Sequence, residues 1–116
     1  MTPGHTPGWL TIEYVVYDQG VSYRALSPGG LGLAFGPQWT EPYLDSLARM
    51  RALEPAVILP NHPCMGTGHL FTMADELAQR TDTLGHPFAS LPNVEAWFDS
   101  LEVIAREKLT EEQTAR

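Results

Sequence analysis

Residues 2–9 read Thr2-Pro3-Gly4-His5-Thr6-Pro7-Gly8-Trp9, a histidine held between two Pro-Gly turns. Proline restricts the backbone on either side, and glycine adds almost no bulk, so groups from elsewhere in a fold can approach the ring. A metal-binding histidine needs such a setting. One ring nitrogen must be aimed at the ion, about 2.0–2.1 Å away for zinc, and the ring must be oriented by its surroundings. A histidine between prolines is also, commonly, a solvated turn residue, and on these residues alone both readings of His5 stand.

Working outward, Leu10, Ile12, Tyr14 and Val16 alternate with Thr11, Glu13, Val15 and Tyr17, the period of a strand. Asp18-Gln19-Gly20 interrupts the alternation, which resumes through Val21, Tyr23 and Ala25. The two runs predict a hairpin with a three-residue loop and Gly20 in the left-handed position. Residues 27–32, Ser-Pro-Gly-Gly-Leu-Gly, are too rich in glycine and proline for regular structure. They lack the Gly-Lys-Ser/Thr ending of a phosphate loop and read as a turn that lets backbone pass close to another group.

Thr40 is placed to cap a helix running to about Leu53, with Pro42 in its first turn and Leu44, Leu47, Ala48 and the Arg51 stem on one side. The proline-bracketed run Pro55-Ala56-Val57-Ile58-Leu59-Pro60 predicts a short buried strand that delivers the chain into Asn61-His62-Pro63. His62 thus stands just past a strand end, where rigid scaffolds present functional groups. A second helix is expected over about 68–80, with Leu70, Met73, Ala74 and Leu77 inward. A third should begin near Asn93, with Val94, Trp97, Phe98, Leu101, Ile104 and Leu109 along one stripe. Residues 1–109 form the domain, and 110–116 are a polar tail expected to fray.

Composition narrows the class. The 116 residues, 43% hydrophobic, suffice for one modest core. Seven Lys and Arg against fourteen Asp and Glu give a net charge of −7, which would repel a nucleic-acid backbone. No apolar run approaches the roughly 20 residues of a membrane helix, and the chain reads as soluble. No signal peptide opens it, although a cleaved or missing upstream segment could have carried one. Cys64 is the only cysteine, which excludes an internal disulfide and leaves the compartment open. Cys64, two residues after His62, is read as a buried thiol rather than a nucleophile. His69 and His86 read as surface or hydrogen-bonding histidines. Glu107, Glu111 and Glu112 read as a solvated helix face.

Taken in order, the Pro-Gly-His-Thr-Pro-Gly turn, the hairpin, the Gly-Gly loop after Tyr23-Arg24-Ala25-Leu26, the helix and Leu59-Pro60-Asn61-His62-Pro63 resemble the C-terminal half of metallo-β-lactamase-superfamily hydrolases. His86-Pro87-Phe88 is similar to a loop of one lactamase-like branch, and the resemblance spans roughly residues 1–106. It implies half of an α/β αββα sandwich: a hairpin and a short strand packed by about three helices. It implies that His5 and His62 are metal ligands, their rings within about 8 Å of each other in one zinc site. Gly29, Gly30, Phe35 and Trp39 become candidates for the substrate wall. The aspartate that bridges the metals in many relatives would fall near Leu26-Ser27, where this sequence holds no acid and Ser27 takes its place. The His-x-His-x-Asp-His motif of the family's N-terminal half does not occur here. No catalytic residue is therefore assigned, and zinc should bind weakly or not at all to this chain alone.

Three readings follow: part of a zinc-dependent hydrolase of lactams, esters or thioesters, inactive alone; a half-domain that pairs with a missing N-terminal half or with itself to rebuild a site; and a non-catalytic interaction module. Self-association is expected because three helices can bury only one side of the sheet, while the charge of −7 is screened beyond about 8 Å.

Overall fold

A computed structural model describes residues 1–4, 8–30, 32–33, 36–61, 69–81 and 85–115, the side chains of 69–72 excepted. The hairpin consists of β1 (Thr11–Asp18) and β2 (Val21–Pro28), antiparallel, with Tyr14 opposite Ala25 and Asp18 opposite Val21. Because Asp18 still pairs, the loop is two residues long rather than three. Gln19 (φ 49°) and Gly20 (φ 80°) are both left-handed, as a turn matching the strands' twist requires.

A 3₁₀ turn, Pro37–Trp39, leads into α1 (Thr40–Ala52). Thr40 was expected to cap this helix, but Trp39 holds the cap position and makes no side-chain cap bond. The fully buried Thr40 hydroxyl instead donates to Glu112 Oε1 at 3.0 Å. Strand β3 (Val57–Ile58) then pairs parallel to β2, Ala25 with Val57 and Leu26 with Ile58, completing a sheet of order β1-β2-β3. Helices α2 (His69–Ala78) and α3 (Leu91–Thr114) follow. Ser90 caps α3 through the Asn93 N–H at 3.4 Å, so the helix begins two residues before Asn93. Residues 110–114, read from sequence as part of a fraying tail, are its last turns. There Glu112 pairs with Lys108 and meets Thr40.

The core lies between one sheet face and two helices. Leu26 and Ile58 face Tyr43, Leu47 and Met50 of α1 and Val94, Phe98 and Leu101 of α3. After Leu101 the buried stripe continues at Ala105, not Ile104, which is 47% exposed. Both positions suit a helical period, and the smaller residue permits the closer approach. By the same test Ala48, Ala74 and Leu77, expected inside, are exposed. In their place α1 buries Tyr43, Ser46 and Met50, and α2 buries Met73. Arg51 holds the two long helices together from outside, contacting Asp99 at 2.6 Å and Glu102 at 3.2 Å with its guanidinium 5.3 Å above the Phe98 ring.

On the other face Ala25 and Val57 are buried, Tyr14 and Val16 half-buried and Ile12 exposed. Part of this face borders a 260 Å³ cavity with His86 and Phe88 on its far wall. The end of β1 is tied to the segment after α2 by a two-pronged pair, Arg80 Nη1 to Asp18 Oδ1 at 2.9 Å and Nη2 to Oδ2 at 2.6 Å. The hydrogen bond from Arg80 holds the Asp18 carboxyl below its ordinary 3.8, against a smaller opposing effect of desolvation.

Two outcomes are expected. Phe98→Ala, which opens the centre of the core, should cost about 3–5 kcal/mol in urea unfolding. The Asp18–Arg80 pair contributes stability above pH 4 that disappears as acid protonates Asp18, because the folded-state pKa lies below the unfolded one. Asp18→Asn should therefore flatten the stability profile on the acid side of pH 4, and an unchanged acid limb would exclude this role.

Candidate functional site

Strand directions decide which loops meet. Strands β2 and β3 run parallel, and the Leu59 N–H donates to Leu26 O at 2.9 Å, so Pro28 and Pro60 leave the sheet at the same end. The antiparallel β1 begins there as well. Hence the segment after Trp9's predecessors, the Gly29-Gly30 loop and the chain entering Asn61 all emerge at one end of the sheet, the carboxyl ends of β2 and β3. That is where open α/β sheets bind ligands.

The residues around the first turn are seated on α1. The Thr2 N–H donates to Trp9 O at 2.9 Å and closes the base of the loop. The Ser46 hydroxyl donates to Pro3 O at 2.6 Å, and the Thr2 and Thr11 hydroxyls lie 2.7 Å apart. The Trp9 ring stacks on Tyr43, centroids 6.1 Å apart and planes 9° from parallel. Burial pushes the Tyr43 phenol well above its usual range. Gly4, at φ 148°, presses on the helix so closely that a Cβ would lie 2.5 Å from Tyr43 Cα. The glycine before His5 is thus required both by conformation and by space.

The glycine-rich loop passes close to a named group, as its composition suggested. The Gly29 N–H donates to Leu10 O at 2.9 Å, and a Cβ on Gly29 would lie 2.8 Å from that oxygen and from the Trp9 indole. Gly30 is buried and Trp39 half-buried. The Ser27 hydroxyl is 2.7 Å from the Tyr14 hydroxyl, on the sheet face opposite the core. His5, His62, Phe35 and Cys64 lie outside the described residues, and with them the expected 8 Å separation of the two imidazoles. His86 is a hydrogen-bonding histidine: its Nδ1 accepts the Phe88 N–H at 3.2 Å. Sequence reasoning missed Thr2, Ser46 and Tyr43 as supports of the turn. Only the Pro-Gly before His5 hinted that something had to pack there.

Among the described residues no three His, Cys, Asp or Glu side chains come together to hold a metal ion.

The arrangement of three strands and three helices among the described residues is part of the metallo-β-lactamase fold. It superposes on a subclass B3 metallo-β-lactamase of Bradyrhizobium japonicum with a TM-score of 0.75 and 22% identity, over 98% of this chain and 44% of the other. A β-lactamase from Chitinophaga pinensis matches with a TM-score of 0.58 and 20% identity, over 94% and 43% of the two chains. A metallo-β-lactamase from Elizabethkingia meningoseptica gives 0.60 and 17%, over 95% and 42%. The chain thus spans a little under half the length of the solved structures it matches. The sequence matches no protein-family model and no curated protein.

Gly4→Ala should lower stability by about 1–3 kcal/mol, since overlap with α1 adds to the strain of the positive φ. Gly8→Ala, where a Cβ meets nothing within 4 Å, is the matched control. Equal melting temperatures for the two variants would refute the seating of the turn on Tyr43.

Proposed function

We propose that this chain supplies two metal ligands, His5 and His62, and one wall of the site of a zinc-dependent hydrolase, and that it turns over substrate only when a complementary half supplies the rest. The observation that supports this reading is that the start of β1, which follows Gly8-Trp9, the Gly29-Gly30 loop and the chain entering Asn61 lie at one end of the sheet. The superposition on structures described as subclass B3 and class B3 di-zinc metallo-β-lactamases supports it.

The chemistry zinc supplies in such a site is a polarised water, acidified toward neutral pH, for attack on a lactam, ester or thioester carbonyl. The chain's own contribution is positional. The seat of Pro3 and Gly4 on α1 fixes the turn that carries His5, and β3 fixes the exit toward His62. Gly29, Gly30, Phe35 and Trp39 form the substrate wall. The complementary half packs against the sheet face that carries Ile12 and Tyr14.

Calorimetry with zinc should give weak binding to the isolated chain. Adding the N-terminal half of a B3 lactamase that carries the His-x-His-x-Asp-His motif should strengthen it. His5→Ala or His62→Ala should each reduce that gain by roughly tenfold or more. The isolated chain with zinc should leave lactam, ester and thioester substrates intact. Tight zinc binding by the monomer that survives both histidine substitutions would refute the ligand assignment.

A further inference from the structure

The outer edge of β1 carries the next inference. Gly29 N–H bonds to Leu10 O, which turns the backbone groups of Leu10 toward β2. Strand groups alternate sides, so those of Ile12, Tyr14 and Val16 also face β2, and those of Thr11, Glu13, Val15 and Tyr17 face outward. Thr2 occupies the outward carbonyl of Trp9 and touches Thr11. From Glu13 to Tyr17 no described strand pairs with this edge, and Val15 and Tyr17 are 55% and 74% exposed. Of the devices that usually protect an edge, β1, Thr-Ile-Glu-Tyr-Val-Val-Tyr-Asp, has no lysine, proline or bulge and a single charge at an outward position, Glu13, which Arg24 pairs at 3.1 Å.

We propose that this edge is the interface between two copies of the chain, which pair β1 with β1 antiparallel about Val15 and join their sheets into one of six strands. The strand is complementary to itself. Antiparallel pairing about a two-fold axis sets outward residues against outward residues: Val15 against Val15 of the second copy, Glu13 against Tyr17, and Tyr14 beside Val16. No like charges meet. Glu13 is neutralised within its own chain by Arg24 at 3.1 Å, and Asp18, by Arg80, would lie opposite Ile12. The net charge of −7 resides elsewhere and is screened at physiological ionic strength. The pairing uses the edge and leaves free the face assigned above to the complementary half, so it does not depend on the zinc reading. Five residues a side make a small interface, and the dimer should be weak and concentration-dependent.

Sedimentation of the full chain over a hundredfold concentration range, with amide exchange followed by NMR, tests the proposal. The dimer should appear at the upper end. There the Glu13, Val15 and Tyr17 amides should exchange at least tenfold more slowly than at the lower end, while Tyr14 and Val16 stay protected throughout. Val15→Pro removes an N–H that the chain's own sheet does not use, and Val15→Lys sets two like charges against each other. Either variant, with the Tyr14 and Val16 protection showing it folded, should be monomeric. A monomer across the whole range, a dimer whose outward amides exchange freely, or a dimer that survives Val15→Lys would overturn the proposal.

Discussion

The parallel pairing of β2 with β3 extends over only two residue pairs, Ala25 with Val57 and Leu26 with Ile58, yet the rest of the arrangement hangs on it. A parallel neighbour cannot be reached by a tight turn, so the chain must cross over, and α1 is the crossover. That crossover puts α1 over Leu26 and Ile58, provides the platform for α3, and brings the ends of β2 and β3 out side by side. Had residues 57–58 paired antiparallel, the segment leading to His62 would leave at the far end of the sheet from the Pro-Gly turns. Both strands enter the core through side chains that are almost fully buried, which offsets the shortness of the ladder.

How much was legible in the sequence followed from the range of the interactions. The hairpin is local, and its alternation was readable from Leu10 to Ala25. The turn length was misjudged because Gln19 adopts a left-handed conformation normally left to Gly, Asn or Asp. Helices were found by period, but a period defines a stripe broader than a contact. It could not tell Ala105 from Ile104, nor foresee that Ala48, Ala74 and Leu77 would point to solvent. Thr40 has the chemistry of a cap, and sequence had no means of showing that Glu112, 72 residues on, would take its hydroxyl. The Asp18–Arg80 pair spans 62 residues and left no local trace. At the candidate site the histidines and glycines were visible as motifs, whereas their supports were not. Thr2, Ser46 and Tyr43 are ordinary residues made specific by packing.

Charge is distributed with a purpose that the bare total conceals. Of the acidic residues, Glu95, Asp99 and Glu102 gather around Arg51, and Glu112 sits with Lys108 and Thr40. Exposed pairs of this kind contribute little individually, on the order of 0–1 kcal/mol each. They link α3 to α1 from outside the core, through Arg51 at one end and Thr40 at the other. Among the described residues, the sheet face opposite that core carries few charges.

The brevity of β3 also bears on how the chain reaches its fold. The β1-β2 hairpin closes through a two-residue turn and can form in about 1–10 μs without help from the rest of the chain. Leu26 and Ile58, by contrast, are separated by 31 intervening residues, and two residue pairs of ladder cannot repay the entropy of closing such a loop. Their pairing depends on α1, whose Tyr43 and Met50 share the buried core with Leu26 and Ile58. The sheet end from which the Gly29-Gly30 loop and the chain toward Asn61 leave is therefore held by tertiary packing more than by its own ladder.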